Sequence, residues 1–148
     1  MFTTNRIFVD SSVFVEAIKG NKTNFYNNLI STVGNEYFIN EVVLSEYLFY
    51  ALAVYGGSSP RTLKERGAIP VLINTDFRKP VLKYFSLLNS DVSFFTTVPD
   101  LMVKYNLLPN DAIILATCKL HAITKLASHH KDFIIPCKAE GIELLRGD

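Results

Sequence analysis

The chain has 148 residues, 49% of them hydrophobic, with 15 Lys and Arg against 14 Asp and Glu. That size suits one domain around one core, and a formal charge of +1 excludes a global field that would draw in nucleic acid or an anionic membrane, so any polyanion must be gripped locally. Two cysteines, Cys118 and Cys137, with no CxxC pair, exclude a secreted disulfide framework and a zinc ribbon, and read as reduced structural thiols.

The opening MFTTNRIFVDSS has only a short apolar run, less than the about 7–15 residues of a signal-peptide core, so the protein is expected to stay in the cytoplasm. Residues 6–10, RIFVD, predict a strand buried on both faces and ending in an acid. Ser11 and Ser12 offer an N-cap to a helix over VFVEAIKG, which Gly20 stops. Phe25, Leu29 and Val33 recur at helical spacing and predict a second helix over 23–33. Residues 37–40, YFIN, predict a second strand. A long helix follows over about 41–55, with Glu46 inside it.

GGSSP at 56–60 breaks that helix, and Arg61, Lys64 and Arg66 follow in a helical excursion over about 56–76. A helix over roughly 77–88 returns the chain to the body, and DVSFFT at 91–96 predicts a strand. VPDLMVKYN predicts a short helix with Pro99 in its first turn, and Asn110 caps another that runs to about His121. Its apolar stretch AIILATC falls well below the ~20 residues that span a membrane. Residues 123–127 and 142–145 are the last strands. Strands alternating with helices predict a single three-layer α/β/α domain over 1–148, with a central parallel sheet of about four or five strands. The 11 Phe and 7 Tyr supply core volume and could also line a homodimer interface.

Three acids stand out. Asp10 ends a buried strand, where a carboxylate must be solvated, hydrogen-bonded or paired with a cation; helix capping is the ordinary alternative. Asp111 sits at a helix start, where the helix dipole alone favours an anion. Glu46 interrupts the apolar VVLSEYLFYALAV, where an unpaired carboxylate is costly to bury unless one face is exposed. If folding brings the three together, their joint chemistry is binding of a hard cation, Mg²⁺ or Mn²⁺. Such a cation polarises a phosphodiester and lowers the pKa of a bound water.

FVDSSVF at 8–14 resembles the opening of the PIN domain of VapC-type toxins, LSEYLFY at 44–50 its helical Glu segment, and LLPNDAIILATC at 107–118 its third-acid helix. LASHHKDF at 126–133 is similar to the closing strand and turn, which in relatives often reads Thr, any residue, Asp, any residue, Asp, Phe. Here His130 replaces the first of those acids and Asp132 keeps the second. The resemblance covers about residues 6–145 and implies Asp10, Glu46 and Asp111 as catalytic and metal-binding acids. Asp132 either completes the metal site or makes a structural contact beside Phe133. Ser11 and Ser12 either orient Asp10, a water or a phosphate, or cap the next helix. His129 and His130 either contact RNA or are solvated turn residues. Arg61, Lys64 and Arg66 either grip RNA or an antitoxin, or form a solvated face.

The implied activity is a Mg²⁺- or Mn²⁺-dependent endoribonuclease, the toxin of a type II toxin–antitoxin pair, with RNA as substrate and a small antitoxin as partner. Alternatives are an RNA-processing PIN nuclease, or a PIN-like RNA- or protein-binding module that has lost turnover, which His130 suggests. A phosphotransfer hydrolase of the HAD type would want an acid two residues after Asp10, where Ser12 stands.

Overall fold

Five short strands, all parallel, lie in the order β3-β2-β1-β4-β5 in the computed structural model, which describes residues 4–74 and 83–147. They are β1 (Asn5–Val9), β2 (Asn35–Ile39), β3 (Phe85–Leu87), β4 (Lys125–Ala127) and β5 (Glu143–Leu145). The central strand carries Ile7, Phe8 and Val9, all buried, as a strand covered on both faces requires. The helices are α1 (Ser11–Ile18), α2 (Thr23–Ser31), α3 (Glu41–Gly56), α4 (Pro60–Glu65), α5 (Ile69–Ile73), α6 (Phe94–Tyr105), α7 (Pro109–Leu120) and α8 (Ile134–Glu140). The α/β architecture and the parallel sheet therefore match the sequence expectation.

The chain steps outward from β1 through β2 to β3, then returns to the other side of β1 and steps outward again through β4 to β5. The order thus reverses between β1 and β4. In open parallel sheets a crevice forms at that reversal, beyond the carboxyl ends of the strands. Register places Val9 opposite Ala127, so the next residues, Asp10 and Ser128, emerge side by side at the crevice.

Several local expectations need correction. DVSFFT is not a strand: the Asp91 side chain accepts a hydrogen bond from the Ser93 amide at 2.8 Å, and helix α6 begins at Phe94. The turn chemistry of Asp91 and Ser93 overrides the β-propensity of the two phenylalanines. Pro99 consequently lies inside α6 and not in its first turn. The edge strand is Phe85–Leu87, within the segment expected to be helical, and it pairs with β2 from Tyr37↔Phe85 to Ile39↔Leu87. Residues 77–82 of that expected helix lie outside the described residues.

Helix α7 starts at Pro109 with Leu108 as its N-cap, one turn position earlier than a cap at Asn110. A proline fits there because its fixed φ is already helical and it has no N–H to satisfy. In the excursion, α4 and α5 fold back on α3, with Leu63 of α4 buried. Gly56 permits this approach: a Cβ there would stand 2.5 Å from a Leu63 methyl.

Away from the crevice, α6, α7 and α8 are tied through one carboxylate. Glu140 of α8 pairs with Lys119 of α7, with Lys104 of α6 at 3.4 Å, and accepts a hydrogen bond from the Tyr105 hydroxyl at 2.8 Å. The Lys119 and Tyr105 contacts, then the lysine charges, hold the Glu140 carboxyl at about 2 against an ordinary 4.5. The folded state therefore favours the ionised form, a contribution present above about pH 4.5 and lost as pH falls toward about 2. Glu140→Gln is expected to lower stability at pH 7 and to flatten its decline through that acid window, read by urea denaturation at a series of pH values. At the centre of the sheet, Phe8→Ala should cost about 3–5 kcal/mol in the same measurement, as a fully buried ring replaced by a methyl.

Candidate active site

Among the described residues, the buried polar and charged side chains are Asp10, Ser11, Asn40, Asp111, Thr117 and Ser128. The Asp10 and Ser128 pair lies at the carboxyl edge of the sheet, and Asn40 follows the end of β2. Thr117 joins the row from α7, since its Oγ1 accepts a hydrogen bond from Asn40 Nδ2 at 3.0 Å. Asn40 also caps α3, accepting from the Val43 amide at 3.0 Å, and so fixes the start of the helix that carries Glu46.

Asp10 occupies the N-cap position of α1, but its side chain makes no capping hydrogen bond. Its carboxylate instead turns into the crevice. Oδ2 accepts hydrogen bonds from Ser12 Oγ at 2.7 Å and from Ser128 Oγ at 2.8 Å. Those hydroxyls are positioned in turn: Ser12 Oγ accepts from the His129 amide and Ser128 Oγ from the His130 amide, each at 3.0 Å. Two of the alternatives left by the sequence are thereby resolved, since Ser12 orients Asp10 and does not cap α1, while Ser11 is the first residue of that helix and is buried.

Asp111 lies in the first turn of α7, and Glu46 is half-buried on α3. Burial, then the charges of Asp10 and Asp111, push the Glu46 carboxyl up, while a hydrogen bond with Asn110 and the charge of His130 pull it down. The three acids thus feel one another. His130 lies between two of them, with Nδ1 3.7 Å from Asp111 Oδ1 and 3.9 Å from Asp10 Oδ2. At those separations the contacts are ion pairs. Asp111 first, then Asp10 and Glu46, raise the imidazole to about 9 against the burial that opposes them, so the ring is a cation at neutral pH. Its plane stacks on the buried Phe133 ring, with centroids 6.4 Å apart and 15° between planes.

Asp132 is exposed in the 3-10 turn Lys131–Phe133 and lines a surface groove with Lys104, Asn106 and Ile135. The charges acting on Glu46 and His130 do not include it. Arg61 and Lys64 are exposed on α4, followed by Arg66, and border a groove with Phe49 and Leu52 of α3; Arg61 pairs with Glu65 at 3.3 Å. His129 packs edge-on to Phe25, and burial lowers its pKa, so it serves the fold. Cys118 and Cys137 are both buried and free. Sequence reading passed over Ser128 and Asn110. The signal for Ser128 was its place directly after an apolar strand, as with Asp10.

A carboxylate cluster of this kind has the oxygen donors that a hard divalent cation takes, and it has the mutual repulsion that such a cation relieves. In the arrangement seen, no three Asp, Glu, His or Cys side chains among the described residues are grouped to hold a metal ion, and the cation between Asp10 and Asp111 is the His130 ring.

A polar, acid-lined crevice at the reversal point of a parallel sheet defines an α/β protein that works at the carboxyl ends of its central strands. The chain belongs to the PIN domain family, whose family model matches residues 7–138. It is 30% identical to Ribonuclease VapC2 of Methanocaldococcus jannaschii, over 87% of this chain and 87% of that protein. It is also 30% identical to Ribonuclease VapC6 of the same organism, over 96% of this chain and 97% of that one. In fold it is similar to a chain of a toxin-antitoxin complex from Klebsiella pneumoniae, with a TM-score of 0.60 and 20% identity, over 88% of this chain and 93% of that chain.

The two seryl hydroxyls keep a buried carboxylate ionised and aimed. Ser128→Ala is expected to cost about 1–3 kcal/mol in chemical denaturation, since Asp10 loses a buried donor. Ser12→Ala should cost less, because Ser12 is only partly buried.

Proposed function

We propose that the protein is a Mg²⁺- or Mn²⁺-dependent endoribonuclease, the toxin of a pair whose other member is a small antitoxin protein. One observation carries the reading: a buried Asp10 carboxylate, fixed by Ser12 and Ser128, that shares its crevice with Asp111, Glu46 and His130. The printed names of the two curated relatives, both ribonucleases, support the substrate class. The toxin-antitoxin complex among the structural neighbours supports the kind of partner. In this reading the protein works in the cytoplasm, as a homodimer. Among the described residues no helix is long and apolar enough to cross a membrane.

Asp10, Glu46 and Asp111 would hold the cation; Asp132 would join them only through a rearrangement of its turn. When bound, the cation supplies Lewis acidity toward a phosphodiester and an activated water. The protein's own part is to aim and to balance charge. Ser12 and Ser128 keep Asp10 in one rotamer. Asn110 hydrogen-bonds Glu46 and so favours its ionised, ligating form against the burial that opposes it. His130 offsets the acid charge at the point where an RNA phosphate must approach. No side-chain nucleophile is needed.

Cleavage of RNA by the purified chain is expected with Mg²⁺ or Mn²⁺, to stop with EDTA, and to fall about 100-fold or more in Asp10→Asn and in Asp111→Asn. Undiminished cleavage by both variants would sink the assignment. Metal and RNA binding with no cleavage by the wild type would favour the binding-module reading that His130 in the acid-bearing turn suggests. The product of a small reading frame adjoining the gene should suppress the cleavage when mixed with the enzyme.

A further inference from the structure

The position at which similar chains carry an acid holds His130, and the structure brings its ring to two of the three acids at once. Nδ1 stands 3.9 Å from Asp10 Oδ2 and 3.7 Å from Asp111 Oδ1. Two ligands that share one metal, each roughly 2.1 Å from it, stand about 3 Å apart at a right angle and about 4 Å apart at a wide one. The ring nitrogen and the two carboxylate oxygens are therefore spaced as ligands of one ion are. The imidazole is also held in orientation. Its backbone amide donates to Ser128 Oγ at 3.0 Å, and its face stacks on the buried Phe133. Asp10 is tied to that same Ser128 hydroxyl, so one residue aligns both donors.

We propose that His130 is a nitrogen ligand to the metal held by Asp10 and Asp111, making the centre a mixed carboxylate and imidazole site that prefers Mn²⁺ to Mg²⁺. The inference rests on the metal-dependent reading above and adds the identity of a ligand to it. The chemical reason for the preference is donor softness. Oxygen-only sites suit Mg²⁺, which gives up water reluctantly, whereas an imidazole donor suits ions further along the first transition row, and Mn²⁺ accepts both kinds. Asp132 is thereby not required as the remaining ligand, which agrees with its exposure on a different groove. The two carboxylates that attract the protonated ring in the absence of metal attract the metal itself, and the neutral ring then ligates it.

Pulsed EPR of Mn²⁺ bound to the full-length chain tests this without reference to activity. Nitrogen modulation on the bound Mn²⁺ is expected in the wild type and in His129→Ala, and is expected to vanish in His130→Ala and His130→Asp. Calorimetric titration should find Mn²⁺ affinity about tenfold or more lower in His130→Ala. In His130→Asp, whose carboxylate restores an oxygen donor, the ratio of Mn²⁺ to Mg²⁺ affinity should drop. His130 is half exposed in a turn, so both variants should fold, and the aspartate variant reads selectivity with the site still complete. Bound Mn²⁺ with no nitrogen modulation, or modulation that survives in His130→Ala, overturns the ligand assignment and leaves the ribonuclease reading standing. Failure of the wild type to bind Mn²⁺ at all overturns both.

Discussion

The site depends on how one buried carboxylate is satisfied. Asp10 is 1% exposed at the end of the central strand, a place where an ionised group without partners is too costly to persist. Two hydroxyls answer that cost, and each comes from a different element: Ser12 from α1 and Ser128 from the end of β4. The register of β1 on β4 is therefore more than a sheet contact. A slip by one residue would move Ser128 away from Asp10 and would turn every side chain of β4 to the opposite face.

Around that pair the interior divides sharply. The body of the sheet is packed with Ile7, Phe8, Val9, Leu126 and Ala127, all but closed to solvent, while polar side chains gather where the strands end. Charge at the crevice is kept near balance by a cation from the protein itself. His130 relieves the repulsion that lifts Glu46, and the Asn110 hydrogen bond works in the same direction. A substrate phosphate would meet this surface as a ring of acids with one positive group at its middle, which explains how a chain of charge +1 has no need of a basic face.

The position of Asp111 is secured from the far end of its own helix. Lys119, near the last turn of α7, meets Glu140 of α8, and the same carboxylate takes Lys104 and Tyr105 of α6. Three helices are thus locked at one corner, and the acid at the other end of α7 inherits their alignment. The distance between the two sites keeps the electrostatics separate, so acid pH can loosen the corner without first changing the chemistry of the crevice.

The sequence by itself determined the α/β class and the candidate acids, because both are written in local patterns. Apolar runs of four or five residues between amphipathic stretches define strands and helices, and an acid after such a run or inside an apolar helix is conspicuous at any fold. Segments with conflicting signals were misjudged: Phe94 and Phe95 favour a strand until the Asp91 turn starts a helix, and Phe85–Leu87 becomes a strand only because β2 offers an unpaired edge. Tertiary structure alone decided which acids meet. Ser128 and His130 are more than a hundred residues from Asp10 along the chain, and no local pattern ties a hydroxyl or an imidazole to a carboxylate across that interval. Strand register does, since parallel pairing of β1 with β4 fixes which residues leave the sheet together.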